Sequence, residues 1–148
     1  MQLTLHADYA FRVLIYLGSH PDRPVVSTEE ISRSYGISRH HLVRVVQTLS
    51  AHGYVKLTPG RLGGVSLACE IHSTRLGDVL RHVEPNLRIV ECFDIKTNTC
   101  PIIRVCGLKS VLGEALDAFV KTLDQYTLDD LLHGRKRTAL AKVFATQA

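Results

Sequence analysis

With 148 residues and 45% hydrophobic content, the chain has the size and composition of one packed domain, or one domain with an extension, and it has no apolar run long enough to span a bilayer. Its start, Met-Gln-Leu-Thr-Leu-His-Ala-Asp, has neither the basic leader nor the small-residue cleavage site of a signal peptide, so the expected compartment is the cytoplasm, where thiols stay reduced. The net charge of +4 is modest, but no acidic residue lies between Glu30 and Glu70 while Arg33, Arg39, Arg44, Lys56 and Arg61 do, the pattern of a polyphosphate-facing surface.

Residues 5 to 19 are expected to form a first helix that is apolar around most of its circumference and therefore largely buried. Asp8, near its start, is the exception, and an acid there commonly complements the helix dipole. A proline-marked loop, His20 to Pro24, precedes a capping box from Ser27 to Glu30. The second helix should end near Tyr35, with Gly36 in the left-handed position and Ser38 capping the next helix at once. Two short helices across a tight glycine turn make a helix-turn-helix.

In the third helix, Leu42, Val45, Val46 and Leu49 repeat at helical spacing and should face inward. Ser38, Arg39, His40, His41, Arg44 and Gln47 are then left to face double-stranded DNA. Arginine forks onto guanine, glutamine pairs with adenine, and recognition helices read bases mainly from their first turns. Tyr54 to Leu57 and Val65 to Leu67 read as two short strands joined by Thr58-Pro59-Gly60-Arg61-Leu62-Gly63-Gly64. That hairpin is the wing, and Arg61 at its tip suits a narrow minor groove.

Ser73 or Thr74 is expected to cap a fourth helix, which Glu84-Pro85 stops. A loop containing Cys92, Cys100 and Cys106 follows. Leu108 to Tyr126 then form a helix of about five turns with an apolar stripe broader than so small a core can bury, hence a homodimerisation helix. Thr127 caps a short last helix through Leu132, and the remainder reads as a solvated basic run. The expected fold is mainly α with a small β wing. It divides into a DNA-binding winged helix-turn-helix (1–85, its first helix packing with the dimer region), a cysteine loop (86–107), the dimerisation and short helices (108–132) and a basic tail (133–148).

The cysteine spacing leaves seven and then five residues between thiols, unlike the two-residue spacing of zinc ribbons. Wide spacing suits a larger object with several metal corners, such as an iron–sulfur cluster held by thiolates. A structural zinc site or reduced, partly buried thiols are the plainer alternatives. Three thiolates leave a cubane one ligand short. Cys69 is the fourth by type, although such a cysteine is more often a small buried hydrophobe. Asp8, His72, His82, Glu91 and Asp94 are the other donors, and spacing does not choose among them.

Several stretches together resemble a known family. They are Gln2-Leu3-Thr4, Asp8-Tyr9-Ala10-Phe11-Arg12, Gly36-Ile37-Ser38-Arg39-His40-His41-Leu42-Val43, Gly63-Gly64-Val65, Leu76-Gly77-Asp78-Val79 and Leu123 to Leu131. From Met1 to about Leu132 the chain is similar to the dimeric winged-helix transcription regulators with a three-cysteine loop, the family that includes IscR and RirA. Asp8-Tyr9 and Tyr126-Thr127-Leu128-Asp129-Asp130-Leu131 look like its nitric-oxide-responsive branch. The IscR branch uses a histidine near the third cysteine, and here none occurs between Cys106 and His133.

The resemblance implies a [4Fe-4S] cluster, with [2Fe-2S] as the alternative, held by Cys92, Cys100, Cys106 and Asp8 from the partner subunit. It further implies a repressor that binds an inverted-repeat operator and is released by nitric oxide. Three other readings remain: sensing of iron or cluster status, an iron–sulfur electron carrier or enzyme, and a zinc-stabilised DNA-binding protein. No nucleotide fingerprint or second cluster motif favours an enzyme.

Overall fold

In the computed structural model the first helix, α1 (Leu5–Ser19), runs through the centre of the molecule. The structure describes residues 2–61 and 63–147; Met1, Ala148 and Leu62 of the expected wing loop lie outside the described residues. Thr4 caps α1 by accepting the Ala7 N–H, and Ala7, Ala10, Val13 and Leu14 are fully buried beneath it. Their small and branched side chains let later helices approach the α1 axis closely.

Helices α2 (Thr28–Tyr35) and α3 (Arg39–Ala51) form the helix-turn-helix. The Ser27 side chain accepts the Glu30 N–H at 3.1 Å. Only half of the expected capping box forms, because the Glu30 carboxylate is taken by Arg23 and by the Tyr16 hydroxyl. Gly36 adopts φ 62°, ψ 30°, a left-handed turn open to glycine at no steric cost, which lets α3 start three residues later. Ser38 occupies the cap position of α3, but its side chain makes no cap hydrogen bond.

The wing is an antiparallel pair, β1 (Val55–Thr58) and β2 (Gly64–Leu67), in register Val55 to Leu67. Val26 bridges β2 at Val65, N–H to carbonyl in both directions, and so fastens the wing beside α2. Helix α4 (Leu76–Val83) starts later than expected. Arg75 stands at its cap without a side-chain bond, while the Ser73 and Thr74 hydroxyls donate to the Glu70 carbonyl.

A cysteine-bearing loop with one 3-10 turn, Glu91–Phe93, leads to α5 (Leu108–Asp124). Gly77 permits the α4–α5 crossing, since a Cβ there would lie 1.9 Å from Asp124 Oδ1. Helix α6 (Leu128–Leu132) begins with a complete capping box between Thr127 and Asp130, and its Leu128 and Leu132 are fully buried.

The expected solvated basic tail is instead a helix, α7 (Arg135–Ala145), which packs back on the core. Phe144, 4% exposed, puts its ring 4.7 Å from Tyr16 and 5.2 Å from Tyr35. This buried aromatic, with the partly buried Leu140, supplies the apolar area that holds the helix in place. No helix among the described residues is long and apolar enough to cross a membrane.

Candidate functional site

The third helix divides its faces as its spacing requires. Leu42, Val45, Val46 and Leu49 are buried, and Ser38, Arg39, His40, His41, Arg44 and Gln47 are exposed. Arg61 is exposed on the wing. Between α3 and the wing lies an open groove of about 440 Å³ lined by Arg39, Gln47, Thr58 and Arg61. One carboxylate on this face escapes the acid-free reading. Glu29, just before that window, also lines the groove and lies 3.5 Å from Arg33 and 3.7 Å from Arg39.

Helix α1 touches this surface from behind. His6 Nε2 is 3.1 Å from the Thr48 hydroxyl on α3, and the Tyr9 ring lies 6.3 Å from that of His41. Asp8, between them, pairs with Arg12 one turn on, at 2.7 Å and 3.2 Å. Arg12 in turn lies 5.7 Å from the ring centres of both Tyr9 and Tyr35. The pair is about 40% exposed on both sides, so solvent competes for it.

Cys92, in the 3-10 turn, and Cys100 and Cys106 beyond it are free and half-buried. Neighbouring side chains shape their loop. Arg88 pairs with Asp94, Asp94 also accepts the Lys96 N–H at 3.0 Å, and Asn98 accepts the Cys100 N–H at 3.3 Å. Glu91 accepts both the N–H and the hydroxyl of Thr99. The Lys96 N–H, with Arg88 beside it, holds the Asp94 carboxyl below its ordinary range, and the Thr99 donors do the same for Glu91. Both acids therefore serve the loop's own scaffold.

The other candidate donors are committed elsewhere. His72 lies 3.3 Å from Asp129, and His82 bonds the Tyr54 hydroxyl at 2.7 Å and stacks on His52. Cys69 is half-buried against the core, and burial pushes its thiol pKa up, as for a packing residue. Among the described residues of the single chain, no three His, Cys, Asp or Glu side chains converge closely enough to hold a metal ion. Asp8 sits on α1, outside the loop that carries the thiols. The donor chemistry nevertheless fits an iron–sulfur cluster: three unpaired soft thiols in a loop whose carboxylates are already engaged.

Of the 17 residues of α5, only Val120 is buried. Leu108 and Val111 are each 61% exposed, and the loop before them exposes Ile95, Ile102 and Val105. Grouped apolar residues of this kind mark a surface that another chain covers.

Residues 3–134 match the Rrf2 family, described as an iron-dependent transcriptional regulator. The HTH-type transcriptional regulator NsrR of Bacillus subtilis is 42% identical over 136 residues, 92% of this chain and 93% of the relative. NsrR of Bacillus licheniformis is 42% identical over 132 residues, 89% of this chain and 92% of its own. Among solved structures, T. potens IscR is similar with a TM-score of 0.70 at 25% identity, covering 89% of this chain and 86% of that one. CymR, the global cysteine regulator of B. subtilis, gives a TM-score of 0.67 at 25% identity, covering 88% and 95%. The chain belongs to the Rrf2 family, is of its NsrR type, and is a DNA-binding transcriptional regulator, not an enzyme.

Proposed function

We propose that this NsrR-type regulator is a cytoplasmic homodimeric repressor that carries an iron–sulfur cluster and leaves its operator when nitric oxide arrives. The observation that carries the reading is the set of three free, half-buried thiols in the loop of an NsrR-type chain. Cys92, Cys100 and Cys106 would hold three corners of a [4Fe-4S] group and the partner subunit's Asp8 the fourth. When bound, such a group supplies iron that nitric oxide attacks in competition with thiolate and carboxylate ligands.

The protein's part is to turn ligation into helix position. To serve as a ligand, Asp8 would have to give up its ion pair with Arg12. Arg12 keeps its place over Tyr9 and Tyr35. A shift of the first turn of α1 is passed to α3 through His6–Thr48 and Tyr9–His41. Because a two-fold dimer matches two half-sites at fixed separation, small shifts of α3 cost affinity on both. A ~100-fold loss takes about 2.7 kcal/mol, at ~1.4 kcal/mol per factor of ten. On this reading residues 1–85 bind DNA, 86–107 hold the cluster and 108–132 make the dimer.

The test is an anaerobic gel shift with cluster-loaded protein and an inverted-repeat operator, with and without stoichiometric nitric oxide. Release by nitric oxide supports the reading. Binding that survives nitric oxide but disappears when the protein comes from iron-starved cells moves the function to iron sensing, the second reading, which the family's iron-dependent description favours.

A further inference from the structure

We infer that Glu84 is a positioning residue that ties the root of each cysteine loop to the Asp8 of the same chain, and thereby couples the two cluster sites of the dimer. The inference rests on the reading that Asp8 serves the partner's site.

Glu84 follows α4 directly, and Pro85 and the cysteine loop follow it. Its side chain is turned inward, at 9% exposure, and among the described residues it is the one charged side chain that is buried. Its Oε2 accepts two hydrogen bonds from a residue 80 positions away: the Thr4 N–H and the Thr4 hydroxyl, both at 3.0 Å. A buried carboxylate receiving two donors forms charge-assisted bonds, the strong kind, and its charge also complements the N-terminal end of α1.

Thr4 passes the restraint on in two ways. Its hydroxyl oxygen accepts the Ala7 N–H at 3.2 Å, and its carbonyl accepts the Asp8 N–H at 3.0 Å. From the loop root to the backbone of Asp8 the path is therefore hydrogen-bonded throughout: Glu84, Thr4, Asp8. Neither Glu84 nor Thr4 belongs to the proposed ligand set. What they fix is where the first turn of α1 stands relative to the base of the chain's own loop.

In a dimer in which each Asp8 serves the other chain, this clasp closes a circuit. Strain on one loop moves its Glu84, then its Thr4 and Asp8, and so reaches the partner's site. Loss of one group therefore weakens retention of the second. For two independent sites, half of the dimers hold one group when half of all groups are lost. A tenfold coupling, at the lower end of ordinary allosteric strengths, brings that fraction down to roughly a quarter.

Native mass spectrometry of the anaerobically purified full-length dimer, stripped stepwise with an iron chelator, reads this fraction directly, with visible circular dichroism recorded on the same samples. The parent is expected to show roughly a quarter singly loaded dimers at half loss. Glu84→Ala should show about half, with its visible spectrum unchanged. Glu84→Gln keeps an acceptor for Thr4 and should restore most of the parental distribution. If Glu84→Ala does not fold, Thr4→Val, which keeps the N–H and loses the hydroxyl, is expected to fall between parent and independence. A parent already at one half, or a Glu84→Ala distribution equal to the parent's, overturns the coupling. A Glu84→Ala spectrum altered in the manner of Asp8→Ala makes Glu84 a ligand and overturns its positioning role. An Asp8→Ala protein with parental spectrum and cluster lifetime overturns instead the assignment of Asp8 on which the route depends.

Discussion

On the proposed dimeric reading, with α5 in the interface, replacing Val111 with aspartate should convert the protein to a monomer without unfolding it. Val111 and Leu108 are each 61% exposed at the start of α5, a helix whose one buried residue is Val120. Burying a valine or leucine completely is worth ~1.5–3 kcal/mol, so covering the exposed part of Val111 is worth ~1–2 kcal/mol. Two-fold symmetry counts it twice, ~2–4 kcal/mol per dimer. Val111→Asp removes that term and places a carboxylate from each chain in the interface, so the dissociation constant should rise by at least roughly 30- to 1,000-fold. The site is exposed within one chain and aspartate is close to valine in helix propensity, so intrinsic chain stability should change by less than ~0.5 kcal/mol. Sedimentation velocity across a concentration series measures the first effect, and far-UV circular dichroism of the resulting species checks the second. A variant that is folded and still dimeric with the parental dissociation constant would refute α5 as the dimer helix.

Four further substitutions separate roles proposed for single side chains. Asp8→Ala loses an exposed ion pair worth ~0.2–1 kcal/mol and a first-turn dipole contact worth ~0.3–1 kcal/mol, so it should stay folded while the cluster's spectrum or lifetime changes; an unchanged spectrum and lifetime remove Asp8 from the ligand set. Arg44→Ala should cost ~1–3 kcal/mol of operator binding and relax specificity at one base position, whereas Arg61→Ala should matter most with A·T-rich flanks; equal footprints and affinities for both variants and the parent would dismiss these contacts. Phe144→Ala should destabilise the fold by ~3–5 kcal/mol by emptying the aromatic site against Tyr16 and Tyr35, and an unchanged thermal midpoint would mean that α7 contributes nothing to the core.

Elements held by local rules could be read from the chain. Gly36, the Ser27 and Thr127 caps and the Leu42–Val45–Val46–Leu49 stripe each act within a few residues, and all stand as expected. Two local expectations fail, the side-chain caps at Ser38 and at Ser73 or Thr74, and the rest of what escaped depends on distance along the chain. Helix α7 opens on a basic run and is held by Phe144, which finds Tyr16 and Tyr35 more than a hundred positions earlier, with Leu140 packed beside the core. Glu29 fell outside the acid-free window by two positions, yet folding sets it against Arg39. Spacing offered Asp8, Glu91, Asp94, His72 and His82 as equals. The structure gives each of them a protein partner, Asp8 included through Arg12, and such partners lie beyond the reach of a motif.

On the proposed reading, α1 is the element through which the cysteine loop acts on DNA binding. That reading needs an element that touches both the loop root and α3. Helix α1 does so with its first two turns. Thr4 is held by Glu84 at the loop root, while His6 and Tyr9 lie against Thr48 and His41 of the recognition helix. Asp8 projects between these contacts and is held in the single chain only by a half-exposed ion pair, a tie weak enough to be exchanged for another ligand. The buried residues just behind, Ala7, Ala10, Val13 and Leu14, are fully packed, so α1 answers a pull at Asp8 as a rigid rod. On the proposed reading a movement at its first turn is passed to α3 through these contacts, and the weak tie at Asp8 makes that movement attainable.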